Sequence, residues 1–194
     1  MPAMGRSAQE IEVKLPFASA DSARESIEKL GAIESTPRLF EDNVVLDRDD
    51  GSLVRGGMVL RVRTKGDRAV LTLKTPVEGE HRHKVRNEYE TTVGDAPATL
   101  LVLQGLGYTP RWRYQKYRTL YILGDLEVCL DETSIGCFVE LEGPPEQIDG
   151  VARRMGFTSE QYVRDTYRDL CEADARRRGV PAGDLLLKPA DSTS

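Results

Sequence analysis

Segments in which apolar and charged residues alternate are the feature that most constrains how this chain folds. Near the N-terminus, Q-E-I-E-V-K-L-P-F alternates in this way. Successive side chains of a strand point to opposite faces, so the spacing predicts a strand with one apolar and one charged face. Strands of this kind are predicted at about 9–16, 42–47, 58–64, 69–75, 83–93, 112–123, 125–131 and 136–142. Glycine-containing turns join several neighbours, which favours antiparallel pairing.

Four helices are predicted between or after these strands. Capping residues and terminal glycines place them at 20–30, 96–105, 145–155 and 159–177. The pattern predicts an antiparallel α+β domain. For a single strand, a solvated charged face is the simplest interpretation. For the whole set, a closed sheet is favoured, because four helices would cover its apolar outside while the charges line a wet lumen.

The charges sort by sign, with arginine and lysine on some strands and glutamate on others. Carboxylates suit cations, and guanidinium and ammonium groups suit anions. A polyphosphate that carries a divalent metal ion satisfies both sets. The sequence contains no Cys/His cluster that would suggest zinc.

Composition narrows the function classes further. The 194 residues carry a formal net charge of −5, which argues against a dedicated nucleic-acid binder. Cys129, Cys137 and Cys171 form neither a disulfide framework nor a Cys-x-x-Cys site, so a cytoplasmic protein is expected. No apolar run resembles a signal peptide or a membrane span, so no membrane partner is expected.

The sequence predicts one domain over residues 1–178 and a C-terminal tail over 179–194. Within this tail, Leu185–Leu187 is a short apolar patch. It has two interpretations: it docks on the body of the domain, or it contacts a partner. A homodimer therefore stays open.

The charged segments resemble the motifs of the CYTH superfamily, the triphosphate tunnel metalloenzymes. E-I-E-V-K is similar to the family's E-x-E-x-K signature. The further matching elements, in order, are L-R-V-R, L-T-L-K-T-P, V-R-N-E-Y-E, K-Y-R, C-L-D, V-E-L-E-G and Y-V-R-D-T-Y-R-D-L. The resemblance covers about residues 9–171. It implies an eight-stranded antiparallel β-barrel, with helices packed outside, whose interior is a tunnel that binds a triphosphate.

The resemblance also implies a role for each matching charged residue. The basic residues implied to bind the phosphates are Lys14, Arg61, Arg63, Lys74, Arg86, Lys116 and Arg118. The acidic residues implied to place Mg²⁺ or Mn²⁺ are Glu10, Glu12, Glu88, Glu90, Asp131, Glu140 and Glu142. Lys14, the lysine of the signature, is also the candidate catalytic residue.

The chain departs from the family pattern at three places. N-V-V-L-D has Val45 where many members carry a tyrosine, and no His-Phe pair precedes E-I-E-V-K, unlike enterobacterial class IV cyclases. Mammalian thiamine triphosphatases carry a tryptophan before the L-R element, where this chain has Met58 and Val59; its single tryptophan, Trp112, is elsewhere. The second and third departures favour a site that recognises phosphates more than a base.

Three functions are consistent with these residues. The leading one is a metal-dependent triphosphatase acting on inorganic tripolyphosphate or a small organic triphosphate such as ATP or thiamine triphosphate. The second is a class IV adenylate cyclase, which converts ATP to cyclic AMP and pyrophosphate. The third is a non-catalytic module that binds polyphosphate or a nucleotide.

Overall fold

The computed structural model describes residues 6–79 and 81–187, and this part of the chain contains eight strands and five α-helices. The strands are β1 (Arg6–Phe17), β2 (Ile33–Asp47), β3 (Val59–Lys65), β4 (Arg68–Pro76), β5 (Lys84–Val93), β6 (Thr109–Leu123), β7 (Leu126–Thr133) and β8 (Gly136–Glu142). The α-helices are α1 (Ala20–Lys29), α2 (Ser52–Arg55), α3 (Ala96–Gly105), α4 (Pro145–Arg154) and α5 (Tyr167–Arg178). The strands form a closed barrel in the order β1-β5-β4-β3-β2-β6-β7-β8. The predicted eight-stranded antiparallel barrel is confirmed.

The chain divides into two compact units, and the first comprises residues 6–11 and 41–114 of the described chain. Its core lies where α3 packs on β2, β3 and β4. The core residues are Leu46, Leu60, Val62, Ala69, Ala96 and Leu103. In the β3–β4 register, Leu60 faces Leu73 and Arg61 faces Thr72. The apolar face therefore packs on α3, while the alternate residues form a charged face on the other side.

The second unit comprises residues 12–40 and 115–187. Helix α1 packs on β7 and β8, and α4 packs on β8. Val13 faces Leu141 across the β1–β8 pair, and both side chains are fully buried. The next pair in the same register is Lys14 opposite Glu140. This unit also has one apolar and one charged face.

Gly143 makes the turn between β8 and α4 possible. Its φ of +146° disfavours any residue with a side chain, and a Cβ atom here would lie 2.8 Å from Leu126 Cδ2. The glycine that ends V-E-L-E-G is therefore required by the backbone path, independently of any ligand.

Two predicted elements differ from the structure, and one observed helix was not predicted. Helix α5 begins at Tyr167, not 159, because Val163 is extended and forms two backbone hydrogen bonds with Lys14, of 3.1 and 3.0 Å. Strand β2 begins at Ile33, not 42. Its first part was not predicted because most side chains over 33–40 are exposed and show no apolar alternation. The short helix α2 was not predicted at all.

The segment after α5 packs on β6 as far as it is described. The backbone N–H of Gln115 donates to the carbonyl of Leu185 at 2.8 Å, and that of Leu187 donates to Gln115 Oε1 at 3.3 Å. Leu185 is only 2% exposed. Of the two interpretations of this patch, docking on the body is found for Leu185, whereas residues 188–194 lie outside the described part. The boundary between domain and tail stays a prediction.

None of the helices in the described ranges is long and apolar enough to cross a lipid bilayer.

Candidate active site

A continuous chain of buried charges runs across the strands of the second unit. Lys14 Nζ lies 3.1 Å from Glu12 Oε1 and 3.2 Å from Glu140 Oε1. The other oxygen of Glu140 accepts a hydrogen bond from Arg118 Nη2. Lys14 is 2% exposed, so both carboxylates act on it with little screening by water.

Asp131 continues this row of charges, because it contacts Arg118, which also contacts Glu140. Its carboxylate accepts hydrogen bonds from Arg118 Nε and Lys116 Nζ, both at 2.6 Å, and from the hydroxyl of Tyr167 at 2.7 Å. Asp131 is fully buried. We call the resulting row the charge chain; its members, in order of contact, are Glu12, Lys14, Glu140, Arg118, Asp131 and Lys116. Acids and bases are equal in number, so the row is neutral as a whole.

Strand register explains why opposite charges meet. Lys14 lies directly opposite Glu140 in the β1–β8 pair, and Arg118 lies directly opposite Asp131 in the β6–β7 pair. Side chains facing each other across antiparallel strands are close enough to interact. The sequence contains these residues, but the register brings Glu140 to Lys14 and Asp131 to Arg118.

The electrostatic surroundings decide which groups are charged. Burial alone would lower the pKa of Lys14, but the carboxylates of Glu12 and Glu140 outweigh it and raise the pKa above its ordinary value. For Tyr167, burial first and then Asp131 and Glu140 raise the pKa well above the usual range. Lys14 is therefore an ammonium ion and Tyr167 a neutral phenol at neutral pH, and neither is suited to act as a general base.

A second group of charges lies within the first unit. Lys74 Nζ donates to Glu10 Oε1 and lies 3.4 Å from Glu88 Oε2. Glu88 also lies 3.8 Å from the guanidinium of Arg61. These residues come from β1, β4, β5 and β3, so three predicted sequence motifs meet there, together with the first glutamate of the signature.

Arg61 and Arg63 have different surroundings although both project from β3. Arg61 Nη2 donates to Thr72 Oγ1 at 3.1 Å, and Thr72 donates to Glu90 Oε2 at 3.2 Å. Arg63 Nε donates to Asn43 Oδ1 at 2.8 Å and its Nη1 lies 3.4 Å from Glu41. Each guanidinium is thus held in a fixed orientation.

Two predicted site residues have other surroundings. Arg86 donates to the backbone carbonyl of Gly57, in the turn before β3. Glu142 lies opposite Glu12 in the β1–β8 pair and opposite Glu127 in the β7–β8 pair. The roles of both residues stay predictions from the family pattern.

Several residues in contact with these charges were not predicted. They are Glu41, Asn43, Thr72, Tyr114 and Tyr167. The sequence contains a signal for some of them. Glu41 and Asn43 are two residues apart, with Asp42 and Val44 at the alternate positions, so both project from the same face of a strand. Tyr114 likewise has the parity of Lys116 along β6.

The donor set was compared with the needs of a divalent metal ion. No group of three or more His, Cys, Asp or Glu side chains within residues 6–79 and 81–187 is arranged to hold one. Mg²⁺, however, usually takes one or two carboxylates together with substrate phosphates. Glu12 and Glu140, which both contact Lys14, supply oxygen donors of the right kind. Such a pair fits a cation that binds with its substrate.

Solved structures show the same fold. A putative adenylate cyclase of Vibrio parahaemolyticus has a TM-score of 0.74 at 15% identity, covering 85% of this chain and 98% of the other. The PH1012 protein of Pyrococcus horikoshii has a TM-score of 0.71 at 25% identity, covering 83% and 98%. A putative adenylyl cyclase from Hippeastrum, described as having a dominant triphosphatase activity, has a TM-score of 0.55 at 19% identity, covering 92% and 97%.

Comparison at the level of sequence completes the assignment. No curated protein sequence gives a significant match to this chain. The sequence model of the CYTH domain, in contrast, matches residues 8–167, most of the chain. Enzymes of this family bind triphosphate-bearing substrates and generally use divalent metal ions. The motifs, the closed barrel and this match together show that the chain belongs to the CYTH domain family.

Proposed function

We propose that this protein is a divalent-metal-dependent triphosphatase that hydrolyses inorganic tripolyphosphate or a small organic triphosphate. The observation that carries the proposal is the charge chain, in which buried acids and bases alternate across four strands. Buried ion pairs contribute little to stability, because the desolvation of both charges offsets their attraction. A row of six charges, five of them buried and Arg118 largely so, is therefore better explained by a ligand that uses them.

A triphosphate fits the charge chain because its phosphate oxygens can replace carboxylate oxygens as the hydrogen-bond acceptors of the basic side chains. Its oxygens accept hydrogen bonds from ammonium and guanidinium groups as carboxylate oxygens do. When phosphate oxygens replace Glu12 and Glu140 around Lys14, those carboxylates become available to a cation. The neutral row thus offers basic groups to the anion and carboxylates to its metal ion.

The residues divide into two proposed roles. Phosphate oxygens are bound by Lys14, Arg61, Arg63, Lys74, Arg86, Lys116 and Arg118, and the metal ion is held by a subset of Glu10, Glu12, Glu88, Glu90, Asp131, Glu140 and Glu142. Lys14 remains an ammonium ion, so its catalytic part is to donate hydrogen bonds to phosphate oxygens as negative charge develops. A bound Mg²⁺ or Mn²⁺ supplies further charge neutralisation and polarises the phosphorus that water attacks.

A second candidate is a class IV adenylate cyclase, which the Vibrio parahaemolyticus relative favours by its name. There the ribose 3′-hydroxyl attacks the α-phosphorus of ATP and pyrophosphate leaves. The Hippeastrum relative favours hydrolysis, because its dominant activity is that of a triphosphatase. The third candidate, a non-catalytic binding module, requires the same basic residues but no turnover.

One assay panel tests the proposal. The protein is incubated with tripolyphosphate and with ATP in the presence of Mg²⁺ or Mn²⁺, and orthophosphate, pyrophosphate and cyclic AMP are measured. Release of orthophosphate is expected. Cyclic AMP with an equal amount of pyrophosphate would replace the proposal by the cyclase, and tight binding without any product would replace it by the binding module.

Variants connect the activity to the charge chain. Arg118→Ala should raise KM for the triphosphate, and Glu140→Gln should raise the Mg²⁺ concentration needed for half-maximal rate. Arg24→Ala is the matched control, because Arg24 forms an exposed pair with Asp21 on α1. If Arg118→Ala and Arg24→Ala leave KM equally unchanged, the charge chain is not the phosphate site.

A further inference from the structure

Two aromatic side chains of the first unit stack on each other near the start of β6. The ring centroids of Trp112 and Tyr114 are 4.9 Å apart and their planes differ by 23°. Because the residues are two apart in a strand, both project from the same face. Tyr114 is 6% exposed, whereas Trp112 is only partly buried. The indole is therefore the more accessible ring of the pair.

Tyr114 connects this pair to a guanidinium that the proposed function assigns to phosphate binding. Arg61 Nη1 donates to the hydroxyl of Tyr114 at 3.0 Å. The same guanidinium contacts Thr72 at 3.1 Å, on the charged face of β3 and β4. The carbonyl of Tyr114 accepts a hydrogen bond of 3.4 Å from Asn43. Tyr114 is thus held at its hydroxyl and at its backbone carbonyl, and its ring lies between Arg61 and the indole.

We infer that Trp112, packed against Tyr114, is a stacking surface for the planar ring of an organic triphosphate, such as a nucleobase or the rings of thiamine. The inference rests on the proposed function, because the phosphates at Arg61 place the attached organic group near the aromatic pair. Stacking of a base on an aromatic side chain is worth about 5- to 150-fold in affinity. Tripolyphosphate has no ring and gains nothing from this surface.

The inferred surface changes the expected substrate class. From sequence, the lack of a His-Phe pair and of a tryptophan before the L-R element favours a site that recognises phosphates more than a base. The structure places the chain's single tryptophan on another strand, in contact with a tyrosine that holds Arg61. A triphosphate with an aromatic group is therefore expected to bind better than inorganic tripolyphosphate.

The single tryptophan makes a direct binding test possible. Its fluorescence is recorded while the wild-type protein is titrated with the β,γ-imido analogue of ATP, thiamine triphosphate or tripolyphosphate, with no divalent metal ion added, so that none of the compounds is hydrolysed during the titration. We expect strong quenching by at least one of the first two and a much smaller change with tripolyphosphate. The two ring-bearing compounds show which kind of ring is preferred. Equal responses to all three would overturn the inference.

Variants separate stacking from packing. Trp112→Leu should weaken binding of the preferred organic triphosphate by about tenfold, measured by calorimetry without added divalent metal ion, and change tripolyphosphate affinity less than about twofold. Trp112→Phe keeps a ring and should recover most of the loss. The matched control is Tyr89→Ala, an exposed aromatic residue on β5 next along the chain to Glu88.

The outcomes distinguish this inference from the proposed function. If Trp112→Leu weakens tripolyphosphate and organic triphosphates equally, Trp112 only packs, and the inference is wrong although the triphosphatase proposal stands. If the wild-type protein binds none of the three compounds, both fail. Circular dichroism of each variant checks that it is folded, and the wild-type titration does not depend on any variant.

Discussion

Replacing Lys14 by methionine tests the electrostatic account of the charge chain most directly. Methionine has a similar volume but no charge, so Glu12 and Glu140 lose the ammonium group that lies 3.1 and 3.2 Å away. Removing one partner of a buried ion pair typically costs 3–5 kcal/mol. Glu140 retains its hydrogen bond from Arg118, so we expect a loss near the lower end, about 3 kcal/mol.

The loss is measured by urea denaturation and by thermal unfolding. For a chain of this size, about 3 kcal/mol corresponds to a Tm lower by roughly 6–12 °C. Lys29→Met is the matched control, because Lys29 pairs with Glu25 at 3.6 Å on the surface and both side chains are exposed. The control should change the free energy of unfolding by less than about 0.5 kcal/mol.

Two further measurements examine the cause of the loss. Adding Glu12→Gln to Lys14→Met removes one uncompensated charge and should recover part of the stability. Millimolar Mg²⁺ should stabilise Lys14→Met more than wild type, because the ammonium group of Lys14 no longer competes with Mg²⁺ for the two carboxylates. If Lys14→Met costs less than about 1 kcal/mol, the attraction between Lys14 and its two carboxylates is not what holds this row together.

Three other predictions concern the surroundings of the charge chain. Tyr167→Phe removes the hydroxyl that donates to Asp131 at 2.7 Å, and it should lower the free energy of unfolding by about 1.5–3 kcal/mol in urea; an unchanged midpoint would contradict this hydrogen bond. Burial raises the pKa of Cys129 from 9.0 to about 12. Because the unfolded thiol ionises first, its contribution is complete below pH 9 and is lost as the pH rises towards 12, so urea midpoints should fall over that range, less steeply in Cys129→Ala. Leu185→Ala should cost about 2–5 kcal/mol, whereas Leu186→Ala, at an exposed position, should cost under about 0.5 kcal/mol; equal losses would show that the C-terminal segment does not dock through Leu185.

Local pattern was sufficient for those parts of the fold that depend on neighbouring residues. Alternation with a period of two placed Lys14 and Arg118 on charged strand faces. Helices α1, α3 and α4 lie within a residue of their predicted ends, because caps and terminal glycines are local signals. Helix α5 was predicted too early because its first turns were replaced by pairing between Val163 and Lys14, a contact between distant parts of the chain.

The partners within the site depend on register and could not be predicted. Asp131 receives hydrogen bonds from β6 and from α5, and nothing near it in the sequence indicates Tyr167 as a donor. Glu41 is fully buried although the residues before it are mostly exposed. Trp112 matched no motif, and its position next to Arg61, through Tyr114, became visible only in the structure.

The sharing of each inner charge between two neighbours has an evolutionary consequence. Reversing or deleting one sign in the charge chain leaves two groups unsatisfied, so an acceptable change needs a second substitution beside the first. The intermediate with one substitution is the least stable of the three proteins, and the loss expected for Lys14→Met illustrates its cost in free energy of unfolding. Exposed pairs such as Arg24 with Asp21 have no such barrier and can be lost one residue at a time. As lineages diverge, the charge chain should therefore be among the slowest parts of this protein to change.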